Sequence, residues 1–379
     1  MDTFARLFGF EESRDYQQNQ SRLQSLLKET KDERGIMASF SVGASSVQAG
    51  RFYVKALSAL RASVGSARTV SSNRPQVVLK NIVGEARSMH SKPEYEGAVF
   101  QAASQFNCLE FASPYATPEL GITVYEHDRT QGPACALACM AGTAYRNYLV
   151  KMPDRRVGQT RDNQLNCLQK AMQSLSLHMP NQKAAQALPP DSKCNVHVRN
   201  GYVDSDERAL SELNEILRNE RTREEAKALV EVGVQEETDV TDLFNSGGSG
   251  GAPQRSVTQV YCSALSVGYS HVSADLWEPL ARMILESIYE STLLIGIETN
   301  MRRKELGLPA RPVLLTKVGG GVFGNRAEWI KNAIRKACEN VWRLLPELGP
   351  SGERRLEVLV VHFREVERGW AELDRVFFD

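Results

Sequence analysis

The run VLLTKVGGGVFGNRAEWIKNAIRKA carries the sharpest chemical signal in the chain. An apolar, β-rich stretch enters Gly319, Gly320, Gly321, Val322, Phe323, Gly324 and Asn325, and a helical pattern follows. Glycines lack the Cβ that would keep an anion away from backbone N–H groups, and a helix N-terminus adds partial positive charge. The segment therefore predicts a diphosphate cradle that needs no lysine. It has no Gly-Lys-Ser/Thr, which excludes a P-loop. It does satisfy Gly-x-Gly-x-x-Gly, but only one strand (residues 356–363) follows, ending in Phe363-Arg364 instead of an acid. That counts against a dinucleotide-binding Rossmann unit. A tight turn joining strand to helix is the plain alternative.

Carboxylates form the second set. Asp128, with Glu126, stands just ahead of Thr130-Gln131-Gly132-Pro133, where an alanine-rich helix opens with proline in its first turn. An acid there could steady a cation-like transition state or position water, or could simply cap the helix. Glu236-Glu237-Thr238-Asp239 closes a β-like run. In a strand Glu237 and Asp239 share one face, as guards of a pocket or as a solvated edge. Glu119 and Glu278 are lesser candidates, and Glu278, ahead of Pro279, suits a helix dipole. The six histidines are dispersed, and only His127 lies beside an acid. The seven cysteines include no Cys-x-x-Cys pair. Cys135 and Cys139 would share a helix face with only His127 nearby, so buried reduced thiols are expected and no metal site.

Composition narrows the field. The 379 residues contain 46 basic and 46 acidic side chains, so the formal net charge is zero. Bulk electrostatic capture of nucleic acid or of an anionic membrane needs a basic excess, and neither partner is expected. Apolar content of 42% supports a sizeable core. No stretch reaches the roughly 18 apolar residues of a membrane span, and the acid-bearing start MDTFARLFGFEESRD is not a signal peptide. A cytoplasmic protein is expected.

The elements that must hold these residues are legible in outline. Residues 1–70 open with a polar helix or loose arm, and 71–150 bring strands at 76–83 and 97–104, then a helix over 131–150. Residues 151–255 read as an insertion, with a charged helical stretch at 206–230 and a flexible Gly/Ser loop at 245–253. Within 256–379, strand 257–267, helix 276–298, strand 312–318, helix 327–345 and strand 356–363 alternate. That rhythm predicts an α/β fold, a mixed sheet between helical layers.

Taken in order, these pieces resemble the macrodomain family, the three-layer α/β/α module that binds ADP-ribose. Gly84-Glu85 stands where the family has Gly-Asp, whose acid contacts the adenine amino group. GAVFQAASQFNCLEF corresponds to the segment ending in Asn–Ala–Ala–Asn, and Asn107 matches its last asparagine. HDRTQGPACALAC stands for the glycine-rich loop entering a helix, VYCSALSVGYS for the family's Ile–His–Thr–Val–Gly–Pro strand, and GGGVFGN for the diphosphate loop, with Phe323 beside the distal ribose. The likeness covers roughly residues 76–150 and 256–363. It departs in a first loop that is not poly-glycine and carries Glu119, Glu126 and Asp128.

The closest likeness is to a divergent branch with arginine-specific ADP-ribosyl hydrolases. It implies a metal-independent hydrolase, with ADP-ribose as ligand or product and no cofactor, acting on ADP-ribosylated protein. Glu85 would read adenine and Gly319–Asn325 hold the diphosphate. Asp128, Asn107, Gln131 and Gly132 would surround the distal ribose, with Glu237 and Asp239 as the competing acids. A non-catalytic ADP-ribose reader and a Rossmann-type NAD-dependent enzyme are the alternatives.

Overall fold

The computed structural model describes residues 3–66, 73–179, 196–242, 255–350 and 352–377. Twelve strands are described: β1 (Leu27–Asp32), β2 (Gly35–Val42), β3 (Ser45–Ala56), β4 (Gln76–Val83), β5 (Val99–Ala103), β6 (Val196–Arg199), β7 (Tyr202–Ser205), β8 (Glu231–Asp239), β9 (Ser256–Cys262), β10 (Val313–Leu315), β11 (Arg355–His362) and β12 (Arg375–Phe377). Ten make one sheet in the order β1-β2-β3-β8-β9-β5-β10-β11-β4-β12, and β6-β7 is a separate hairpin. Strands β9, β5, β10, β11 and β4 are mutually parallel. Antiparallel β12 closes one side, and the antiparallel series β8, β3, β2, β1 extends the other.

Side-chain alternation explains the layering. Along β10, Val313 and Leu315 join one core while Leu314 joins another, and along β11 Val358 and Val360 part from Leu359 in the same way. Successive residues of a strand point to opposite faces, so a sheet apolar on both sides must be covered on both. Helices Ala274–Glu305 and Ala327–Leu344 supply one cover. Ala138, Cys139 and Met89, from the helical segments at 131–144 and 86–90, pack against the other. The expected α/β/α mixed sheet is found.

Some elements differ from expectation. The helix expected over 131–150 is broken into Gln131–Ala138, Met140–Ala144 and a π-turn at Tyr145–Leu149. Thr241 is the cause: its hydroxyl accepts the Met140 N–H at 3.0 Å, and Cys139 leaves helical geometry with ψ at 58°. The opening segment takes the helical of its two expected forms, as helices Thr3–Phe8 and Tyr16–Leu26, and continues into β1, which was not expected. Strand β8, from the stretch read as an insertion, lies inside the main sheet between β3 and β9. The hairpin β6-β7 and helices Gln169–Ser176, Glu207–Leu217 and Glu220–Ala228 make up most of the rest. The Gly/Ser loop at 245–253, Pro180, Pro189, Pro190 and Cys194 lie outside the described residues.

The long helix approaches the sheet at Gly296. A Cβ there would sit 2.2 Å from Val313 Cγ2, and Val313 is fully buried. Gly296→Val should therefore force helix and β10 apart and cost about 1–3 kcal/mol. Thermal and denaturant unfolding check this, and an unchanged midpoint would refute the close approach.

Candidate functional site

Parallel strands end at one edge of their sheet, and ligands of such sheets collect there, where the strand order reverses. Here β5 continues to its neighbour β9 on one side, while β10, its other neighbour, continues to β11 on the opposite side. Two cavities open beside the β5 and β10 ends. One, of about 540 Å³, is lined by Gly84, Glu85, Gln131, Lys317, Gly321 and Phe363 among others. The second, of about 380 Å³, takes in Glu110, Asp128, Gly132, Tyr202, Val322 and Phe323. They share Thr130, Gln131, Thr316, Lys317 and Gly321, so they form one crevice with a narrow middle.

The glycine turn forms that middle. It closes on itself through Gly320 N to Lys317 O, Gly324 N to Gly321 O and Asn325 N to Gly319 O, each 2.9 Å. Positive φ at Gly319 and Gly324 (75° and 70°) makes the closure possible. The N–H groups of Gly321, Val322 and Phe323 have no partner among the described residues. Asn325 is buried and donates its side chain to Leu265 O at 2.8 Å, so it braces the turn. Lys317 also lines the crevice, paired with Glu367, and Arg129 and Arg364 stand at the wider cavity. Cations are thus present around a cradle whose sequence asked for none.

Other expected residues reach the crevice with part of their polarity engaged. Glu85 caps helix Ala86–His90 by accepting from Arg87 N (3.0 Å) and Ser88 N (2.7 Å), leaving further lone pairs toward the cavity. Gln131 joins the end of β5 to its own helix, accepting from Ala103 N and donating to Gln101 O, both at 2.8 Å. Gly132 lets that helix approach: a Cβ would meet Ala103 O at 2.0 Å. Asp128 accepts from Thr130 N at 2.8 Å and lines the smaller cavity. Its loop is held by Glu12, which accepts from Ile122 N, Thr123 N, the Thr123 hydroxyl and the Tyr148 hydroxyl.

Three expected residues are elsewhere. Asn107 is buried away from the crevice wall, donating to Gln164 and accepting from Leu109 N. Glu237 and Asp239 are excluded by strand direction. Because β8 runs antiparallel to β9, Asp239 pairs with Ser256, the first residue of β9, at the edge opposite the crevice. Nor do the two share a face. A register shift between Gln235 and Thr238 puts Glu237 at φ 53°, where it pairs with Arg34 at 2.9 Å and with Arg51. Asp239 is buried and accepts from Gln48 N at 2.7 Å.

The residue that sequence reasoning missed is Glu110. It is buried in the wall of the smaller cavity. One oxygen takes a 3.2 Å ion pair from Arg146, and the other has no partner among the described residues. Burial pushes its carboxyl up to about 7, against the pull of Arg146 and Tyr125. Arg146 is itself fully buried, donating to Cys108 O at 3.1 Å and stacked 3.6 Å from the centre of the Tyr261 ring. An acid in an apolar run such as Asn-Cys-Leu-Glu-Phe is itself a signal, because an unpaired charge is rarely buried there. Tyr202 from β7, Tyr269 and Phe323 then roof the cavity with ring centres 5.2–5.9 Å apart.

Among the described residues, no group of three or more His, Cys, Asp or Glu is placed to hold a metal ion. Nor is any described helix long and apolar enough to cross a membrane.

No family model matches the chain, and no curated protein matches it. Solved structures do. Poly(ADP-ribose) glycohydrolase from Deinococcus radiodurans, in complex with ADP-ribose, is 10% identical, with 86% of this chain and 92% of that one covered and a TM-score of 0.39. The glycohydrolase from Thermomonospora curvata, bound to the inhibitor ADP-HPD, is 10% identical over 94% and 95%, with a TM-score of 0.35.

The raised carboxyl of Glu110 has a consequence for stability. The folded protein holds a proton that an unfolded chain, with a value near 4.5, has already released. Its contribution is complete at low pH and is lost as pH rises through about 7. Relative to Glu110→Gln, the wild type should lose unfolding free energy between about pH 5 and 7.5. A difference constant across that range would refute the burial-driven shift.

Proposed function

We propose that the crevice binds ADP-ribose and that the protein hydrolyses the glycosidic bond joining it to a protein side chain, with arginine the favoured attachment. The observation that carries this reading is the pairing of three unoccupied glycine-turn amides with a buried carboxyl of near-neutral pKa in one crevice.

The amides of Gly321, Val322 and Phe323 receive the diphosphate, and the N-terminus of helix Ala327–Leu344 lies close behind. The adenosine takes the wider cavity, where Glu85 accepts from the adenine amino group and the exposed Phe363 offers a ring. The distal ribose takes the smaller cavity under Phe323.

Hydrolysis then needs a water, a base and support for an oxocarbenium-like centre. Glu110 removes a proton from the water as its oxygen bonds to the anomeric carbon. The carbon–nitrogen bond breaks toward the guanidine, which takes that proton back from Glu110, so the ledger closes without metal or redox partner. Asp128 faces the positive charge that develops on the sugar and pairs with the guanidinium as it leaves. Arg146 holds Glu110 in place and is a positioning residue. Asn107, Glu237 and Asp239 have no part in these steps.

Two experiments test the reading. Against protein mono-ADP-ribosylated on arginine, Glu110→Gln and Asp128→Ala should each lower kcat by about 10²–10⁴, and the wild-type kcat/KM should rise as pH passes about 7. Failure of the wild type to cleave any ADP-ribosyl linkage without metal sinks the enzyme. The cradle is tested separately by Gly321→Val, since a Cβ at Gly321 meets nothing within 4 Å. The variant should keep its unfolding midpoint and lose ADP-ribose affinity in calorimetry, and unchanged affinity would remove the turn from the site.

A further inference from the structure

A third concavity, of about 550 Å³, lies on the far side of the β6-β7 hairpin from the smaller cavity. Gly201 lines it, and the next residue, Tyr202, lines the crevice. Its frame is rigid. The hairpin turn Asn200-Gly201 has positive φ at both residues, 49° and 75°, which suits a two-residue turn. An amide relay pins it: Asn107 donates to Gln164, Gln164 to Asn200, and Asn200 to Pro114 O, at 2.7–2.8 Å.

Around this frame stand two exposed guanidiniums and an exposed ring. Arg161 and Arg199 are exposed, and neither guanidinium has a carboxylate partner among the described residues. One oxygen of Glu119 accepts from Arg161 N at 2.7 Å and the other has no partner among the described residues, and Asp162 is the one acid in the concavity's wall. Tyr115 is 76% exposed, with the Arg199 guanidinium 5.3 Å from its ring centre.

We infer that this concavity is a second ligand site, distinct from the crevice, that takes a nucleoside phosphate. Two planar guanidiniums fork onto phosphate oxygens, and an exposed ring beside them stacks a base. An acidic peptide would use the arginines alike but would leave Tyr115 idle, so the ring selects the nucleotide. The site does not depend on ADP-ribose chemistry in the crevice.

The test counts bound ADP per full-length chain by equilibrium dialysis, with unfolding midpoints as the control for folding. Wild type should bind two. Arg161→Ala/Arg199→Ala should lose one, Gly321→Val the other, and the combined variant both. Tyr115→Ala should weaken the second site for ADP by roughly tenfold while leaving inorganic pyrophosphate unaffected. If the crevice reading alone fails, wild type binds one ADP, insensitive to Gly321→Val and lost in the arginine double variant. One ADP lost with Gly321→Val and indifferent to both arginines overturns the second site. A poly-glutamate peptide that displaces ADP from it at lower concentration than ADP itself overturns the nucleotide assignment.

Discussion

Arg146 constrains the site more than any other side chain. A guanidinium does not shed its proton in a protein, so a fully buried one must find its partners nearby or destabilise the fold. Arg146 finds them in four places: the Cys108 carbonyl and the Glu110 carboxylate on the loop after β5, the Thr143 hydroxyl one turn back, and Tyr261 on β9. Satisfying one charge therefore fixes the loop, the strand beside it and the π-turn that carries the arginine. Glu110 is held by the same bond, with one oxygen occupied and the other without a partner among the described residues.

The network extends past that pair. Tyr261 donates to Gln259, whose amide reaches Cys135 O at 2.8 Å and His90 at 3.0 Å. Burial pushes His90 down to about 4, so at neutral pH it stays uncharged, stacked on Phe100 at 3.8 Å. A line of polar groups thus runs under the crevice from Glu110 to the helix capped by Glu85. Low dielectric strengthens each hydrogen bond along such a line, and the free oxygen of Glu110 is left at its crevice end, without a partner among the described residues. The two ends of the line reach the crevice, Glu85 in the wall of the wider cavity and Glu110 in that of the smaller one.

The remaining walls come from distant parts of the chain. Glu12, in the opening segment, anchors the loop that carries Asp128, and the β6-β7 hairpin lays Tyr202 against Phe323. Pieces that read as an arm and an insertion thus complete a crevice begun by five parallel strands.

Local signals determined much of this by themselves. Strand β4 matches the β-rich run at 76–83, and the glycine turn lies between strand and helix as its composition requires, because glycine content and periodicity act over a few residues. Asp128 was legible as an acid beside a helix start, and Glu85 only through the family resemblance. Tertiary structure alone decided which acids share a cavity. Glu237 and Asp239 look as apt as Asp128 in sequence, yet strand direction sends them to the opposite edge, and pairing direction is a long-range property that no local run encodes. Glu110 was hidden for the same reason. Its partner Arg146 is 36 residues away, and only the tertiary fold buries the glutamate deeply enough to push its carboxyl up against the pull of that partner.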